Sequence, residues 1–291
     1  MLDVDVAVDN VDYRRYSNRQ LLGIPFAVLA IALVVIGVWY ATTGVPVEPG
    51  IEFTGGVEIQ VEAPGGQAAI QDAFTAEISS IRPIRTAQDT YIVTFQSTAL
   101  EGVDTETLTQ QAEQAGFTVE SIQSTSPSFG EATQRLALLG VGIAFVGMSI
   151  IIFILFRTFI PSIAVVLSAF SDIVVPVALM NLLGIQLSLG TVAALLMLIG
   201  YSVDSDVLLT NQIIRRSGGF YPSTYRAMRT GVTMTLTSLS AVTVMAIVAT
   251  LFGIDLLASI GTVLAFGLLT DLMNTYMMNV SLLRWYVGVD D

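Results

Sequence analysis

The chain has 291 residues, 53% of them hydrophobic and only 12% charged, where soluble domains carry about 25% charge; with a mean hydropathy of +0.73, this excludes an ordinary soluble enzyme and asks for lipid. A net charge of -12 excludes nucleic acid as a partner, and with every basic residue an Arg, the composition is the one expected of a salt-loving organism. No Cys and no His are present, so disulfides, thiolate catalysis, Cys-ligated zinc and iron–sulfur centres are excluded and the commonest general base is missing; no metal and no cofactor is expected.

Tyr13-Arg14-Arg15-Tyr16 precedes an apolar run. Two readings compete, a twin-Arg export signal and a positive anchor for a first spanning helix. The run is long enough to span and lacks a small-residue cleavage site near its end, which favours the anchor.

A spanning helix needs about 20 apolar residues, and the chain offers six candidates: 21–41, 136–156, 159–182 with Asp172, 182–203, 231–254, and 256–283 with Asp271. The expected organisation is a cytoplasmic segment 1–20, helix one at 21–41, an exterior domain at 42–135, a five-helix bundle at 136–283 and a cytoplasmic tail at 284–291. The fold class is an α-helical polytopic membrane protein with a small α+β exterior domain between helices one and two. Both termini are expected in the cytoplasm, because the short flanks on that side hold Arg14, Arg15, Arg19, Arg157, Arg215, Arg216, Arg226, Arg229 and Arg284, and the opposite short loops hold no Arg.

Within the exterior domain, 57–61, 91–95 and 117–122 read as strands. Stretches 67–81 and 105–115 read as helices, the second opened by Asp104 and closed by Gly116. The stretch 44–131 carries 13 acidic residues against Arg82 and Arg85, and no cluster in the domain resembles a catalytic site. It is expected to bind or brace a partner without transforming it.

Several motifs stand out in order. Gly50-Ile51-Glu52-Phe53-Thr54-Gly55-Gly56 opens the exterior domain, and Pro127-Ser128-Phe129-Gly130-Glu131 closes it. Phe156-Arg157-Thr158 marks the turn between spans two and three, Ser171-Asp172-Ile173 lies in span three, and Gly200-Tyr201-Ser202-Val203-Asp204-Ser205-Asp206-Val207-Leu208-Leu209 follows in span four. Together these resemble SecF, the accessory subunit of the Sec translocase, over nearly the whole chain. Glu52 replaces the Asp of an Asp-Phe-Thr-Gly-Gly signature, with Phe53, Thr54, Gly55 and Gly56 matching it. The aspartate of bacterial members falls on Ser205, while Asp204 stands where the sister subunit SecD has its own. An Arg associated with span five falls near Thr233, with Arg229 the nearest real candidate. These departures point to an archaeal, haloarchaeal branch.

An ionisable group inside a span costs roughly 2.5–3.5 kcal/mol on insertion scales and normally faces a cavity or partner. Asp172 and Asp204, on antiparallel neighbours, are therefore expected to be companions, with Asp206 nearer the interface because two residues apart on a helix cannot share a face. Asp271, Asn274 and Thr275 fall at i, i+3 and i+4, one polar stripe facing the bundle. Asp172, Asp204, Asp206, Asp271 and Arg229 are the ion-coupling candidates; Glu52 to Gly56 is the candidate hinge.

The resemblance implies a non-enzymatic export subunit that pairs with a SecD-type subunit, works beside the Sec translocation channel in membrane lipid, handles secreted protein chains and draws on an ion gradient. Two other readings remain open. A half-size resistance-type small-molecule exporter would normally fuse two six-span halves, and an intramembrane aspartyl protease would carry a Gly-x-Gly-Asp pattern that the chain lacks.

Overall fold

The computed structural model describes residues 12–84, 89–100, 104–215 and 219–289. Ser17 opens α1 (Asn18–Thr43) with a reciprocal capping box, its hydroxyl accepting from Gln20 N–H while the Gln20 side chain accepts from Ser17 N–H. A short turn of helix, α2 (Ile51–Thr54), follows, and then the sheet domain: β1 (Gly56–Glu62), α3 (Gly66–Ala73), β2 (Ser80–Pro83), β3 (Thr90–Gln96), α4 (Thr105–Gln114) and β4 (Thr118–Thr125). The strands pair antiparallel in the order β2-β3-β1-β4. Val57, Ile59 and Val61 of β1 and Val93 and Phe95 of β3 present one apolar face, and Ile70 of α3 and Leu108 and Ala112 of α4 seal it.

The helix expected over 67–81 is half that length. It stops at Ala73 because Phe74 turns extended, and its ring packs edge-on against Phe95 at 5.1 Å. Residues 74–79 are a loop that leads into β2, an edge strand ending on Pro83, which is where a residue without an N–H is tolerated. Asp104 caps α4 as its sequence suggests, accepting from Thr107 N–H at 2.8 Å.

The bundle comprises α5 (Pro127–Phe156), α6 (Phe159–Leu183), α7 (Leu189–Arg215), α8 (Phe220–Leu251) and α9 (Asp255–Met273), which passes through one π-helical turn, Asn274–Asn279, into α10 (Val280–Val287). Counting α9 to α10 as one run, six helices among the described residues are long and apolar enough to cross a membrane. Several boundaries differ from the sequence reading: α7 begins at Leu189, not 182, α8 begins at Phe220, not 231, and two more follow. Helix α5 begins at Pro127, not 136, with the proline in the first turn where its missing N–H costs nothing. Helix α7 continues to Arg215, not 203, since Ser205, Asp206, Leu209, Thr210 and Ile213 all stay buried on its inner face. Helix α6 is the interior element, 61% buried over its apolar window, whereas α5 and α8 are outer helices at 6% and 11%.

The sheet domain is seated on the bundle by backbone as well as side chains. Gly50 N–H donates to Leu187 O at 2.8 Å and Leu187 N–H to Glu48 O at 2.7 Å. Arg82 of β2 pairs with Asp255, the first residue of α9, at 3.1 Å, and Ile84 packs over Gly253.

Candidate functional site

The signature that opens the sheet domain and the one that closes it touch. Gly55 (φ +73°) lies so close to α5 that a Cβ would stand 2.7 Å from Pro127 N, and a Cβ on Gly130 would stand 2.5 Å from Phe53 O. Gly56 admits Phe95 O equally closely. Two glycine-bearing motifs, some 70 residues apart in sequence, thus form one backbone crossing at the root of the domain, with Phe53 buried beneath it. Glu52 points the other way: its carboxylate accepts from Leu189 N–H, capping the start of α7. Thr54 donates within the turn, to Gly50 O at 3.3 Å.

Deeper in the bundle, three carboxylates are buried together: Asp172 on α6, Asp206 on α7 and Asp271 on α9. Asp172 accepts from Ser202 Oγ at 2.6 Å and from Asn274 Nδ2 at 2.7 Å. Asp271 accepts from Ser205 Oγ at 2.8 Å and Thr275 Oγ1 at 3.2 Å, while Thr275 also reaches Asp206 at 2.8 Å and Asn279 donates to the same Asp206 oxygen. Every one of these donors is a neutral hydroxyl or amide. Asp206 Oδ2, Asn274 Oδ1 and Asn279 Oδ1 are buried with no hydrogen-bond partner. Such a cluster can hold protons or a hydrated cation among its oxygens; among the described residues no group of acids is arranged as a metal site.

The expected pairing of Asp172 with Asp204 is not what forms. On α7 residues 204 and 206 stand about 200° apart, and the inner face is set by Ser202, Ser205, Asp206 and Leu209 at i, i+3, i+4 and i+7. Asp206 therefore joins Asp172 and Asp271, and Asp204 is exposed on the opposite face, at the mouth of a cavity of about 120 Å³ that has Asp271 at its base. Arg229 is exposed on α8, and its backbone oxygen accepts from Thr233 Oγ1 at 2.7 Å.

Asn279 lies outside the stripe of Asp271, Asn274 and Thr275 as read from the sequence, yet it follows Thr275 at i+4, which is the signal that finds it; on a regular α-helix Asn274 and Asn279 would stand about 140° apart. The wider π turn brings both inward.

Six spanning helices, a sheet domain rooted between the first two and an acid cluster at the centre of the bundle define a polytopic membrane protein built around intramembrane ionisable groups. Residues 104–289 match the family model for protein export membrane protein SecD/SecF, C-terminal. The chain is 64% identical over 283 residues to the protein-export membrane protein SecF of Haloquadratum walsbyi and 63% identical over 283 residues to that of Haloferax volcanii, covering 97% of both chains in each case. It is also similar in fold to the crystal structure of SecDF, a translocon-associated membrane protein from Thermus thermophilus, with a TM-score of 0.70 at 19% identity; the match covers 96% of this chain and 39% of that one. The chain belongs to the SecD/SecF family of protein-export membrane proteins, on its SecF side. It is a subunit for Sec protein export, and the exporter and protease readings fall away.

Proposed function

We propose that the chain works as one half of a pair with a SecD-type subunit beside the Sec translocation channel, and that ion movement through the carboxylate cluster drives the sheet domain against emerging secreted chains. It performs no covalent chemistry. In this reading both termini are cytoplasmic, the domain at 42–135 is exterior, and the Glu52 to Gly56 crossing transmits movement between bundle and domain. The observation that carries it is the burial of Asp172, Asp206 and Asp271 among neutral donors, since uncompensated acids in a membrane interior are expensive and mark ion paths. The partner half is supported by Asp204, a carboxylate within a spanning helix that is exposed on the isolated chain. A second membrane subunit covering that face would supply polar contacts to it.

The test is affinity purification of the full chain from its membranes in mild detergent. A SecD-type chain should come along, and Asp204→Leu should reduce it. Recovery of the chain alone, under conditions that keep other membrane complexes intact, would overturn the partner reading. Orientation is checked in a chain with no native Cys: Gln114→Cys should react with an impermeant thiol reagent in whole cells, and Tyr286→Cys should not.

A further inference from the structure

At the end of the bundle where α1 begins, a groove of about 530 Å³ lies between the start of α1, α8 and the π turn, lined by Tyr13, Leu21, Ile24, Met228, Tyr276 and Met277. Its walls are largely apolar, and Ile24 at its open side is 53% exposed. The floor is fixed: Tyr13 donates its hydroxyl to Tyr276 O at 2.8 Å and its ring lies tilted at 45° to that of Tyr225, centroids 6.0 Å apart. Arg14, Arg15 and Arg19, next in sequence to the lining residues Tyr13, Tyr16 and Gln20, are exposed, Arg14 lying over the Tyr221 ring at 5.1 Å, and Arg284 holds the entering chain by donating to Tyr16 O at 2.9 Å. Asp12, paired with Arg15, is the counter-charge seen there. In a chain of net charge -12, three exposed arginines within six residues reverse the sign locally.

We propose that this groove binds one anionic phospholipid, its acyl chain against Leu21, Ile24 and Met277 and its phosphodiester at these arginines. The chemistry fits both halves of such a molecule. Guanidinium groups make paired hydrogen bonds to phosphate oxygens, and basic rims between spanning helices select acidic headgroups. Tyrosines at this depth suit the boundary between headgroup and acyl chain. The acyl chain would also press on Tyr276 and Met277, next-door neighbours of Thr275, whose hydroxyl joins Asp206 to Asp271. Lipid occupancy thereby stiffens the π turn that shapes the acid cluster. The site does not depend on ion coupling or on a partner subunit.

The experiment is native mass spectrometry of the full chain in mild detergent with phosphatidylglycerol or phosphatidylcholine added. Phosphatidylglycerol should be retained at one copy with a clear preference. Arg19→Gln should reduce that preference about fivefold, as expected of one basic group near a headgroup, and Ile24→Trp, which fills an exposed apolar opening, should lower retention of phosphatidylglycerol whatever its headgroup contacts. Equal retention of the two lipids, or a preference that neither variant changes, would mean general annular lipid and overturn the proposal. So would a photo-crosslinker at position 24 that captures a protein chain in native membranes instead of lipid.

Discussion

Asn274 donates its side-chain amide to Asp172 Oδ1 at 2.7 Å from the first residue of the π turn, so the irregular segment of the last span is tied directly to the central helix α6. A π turn is rare and recurs at functional positions. Here its consequence is geometric: Asn274, Thr275 and Asn279 serve Asp172, Asp271 and Asp206 from one helix.

Replacing Asn274 by Leu should leave a buried carboxylate oxygen without its amide donor. Bonds of this kind inside membrane bundles average about 0.6 kcal/mol and reach about 1.7. Thermal unfolding in detergent should therefore shift down modestly, while export falls strongly if the cluster is the working part. An Asn274→Leu chain that is stable and exports normally would show the bond to be incidental.

The root of the sheet domain is the stiffest test of the fold. At Gly55 an alanine meets both an unfavourable positive φ and the Pro127 backbone, and overpacking alone costs about 1–3 kcal/mol. Gly55→Ala and Gly130→Ala should each make the junction of domain and bundle more sensitive to limited proteolysis. Gly140→Ala, with no atom near its would-be Cβ, should behave as the parent chain. Unchanged cleavage in all three would remove the crossing as a structural constraint.

Much of this was legible in the sequence, and the failures are specific. The six apolar runs, the Asp104 cap and three of four strands follow from period, length and capping chemistry. The four-residue β2, ending on a proline, carries too short a pattern to register. Asp204 and Asp206 cannot share a helix face, and the sequence assigns the inner one to Asp204; the stripe through Ser202, Ser205 and Leu209 marks the buried face and places Asp206 on it. Contact between the two glycine motifs has no local signature at all, since it depends on where the domain's chain returns.

Arg82 and Asp255 join the sheet domain to α9 with side chains 41% and 35% exposed, a setting where an ion pair contributes about 0–1 kcal/mol. A double-mutant cycle with Arg82→Ala and Asp255→Ala should give a coupling in that range that shrinks in high salt. Nearby Glu58 is raised above its usual carboxyl range by burial, with Arg82 pulling it down. A raised folded-state value means that Glu58 supports folding when protonated and opposes it as pH rises through that value. Glu58→Gln should therefore stabilise the domain near neutral pH and flatten its pH dependence on the acid side; a loss of stability at neutral pH would reverse the assignment.

The acids give the most decisive comparison. Asn matches Asp in volume and still forms hydrogen bonds, but it cannot carry a titratable proton or a full charge. Asp172→Asn and Asp206→Asn sit within networks of hydroxyls and amides that can re-pair, so each variant should insert, remain stable and co-purify with its partner while secretion in a deletion strain drops at least tenfold. Asp204→Asn should behave differently, because its carboxylate lies on the outer face of α7: recovery of the partner falls first, and secretion falls with it. Quantitative co-purification measured beside secretion separates the two patterns. If Asp204→Asn alone stopped secretion with assembly intact, and Asp206→Asn did nothing, the working site would be the exposed mouth and not the buried cluster.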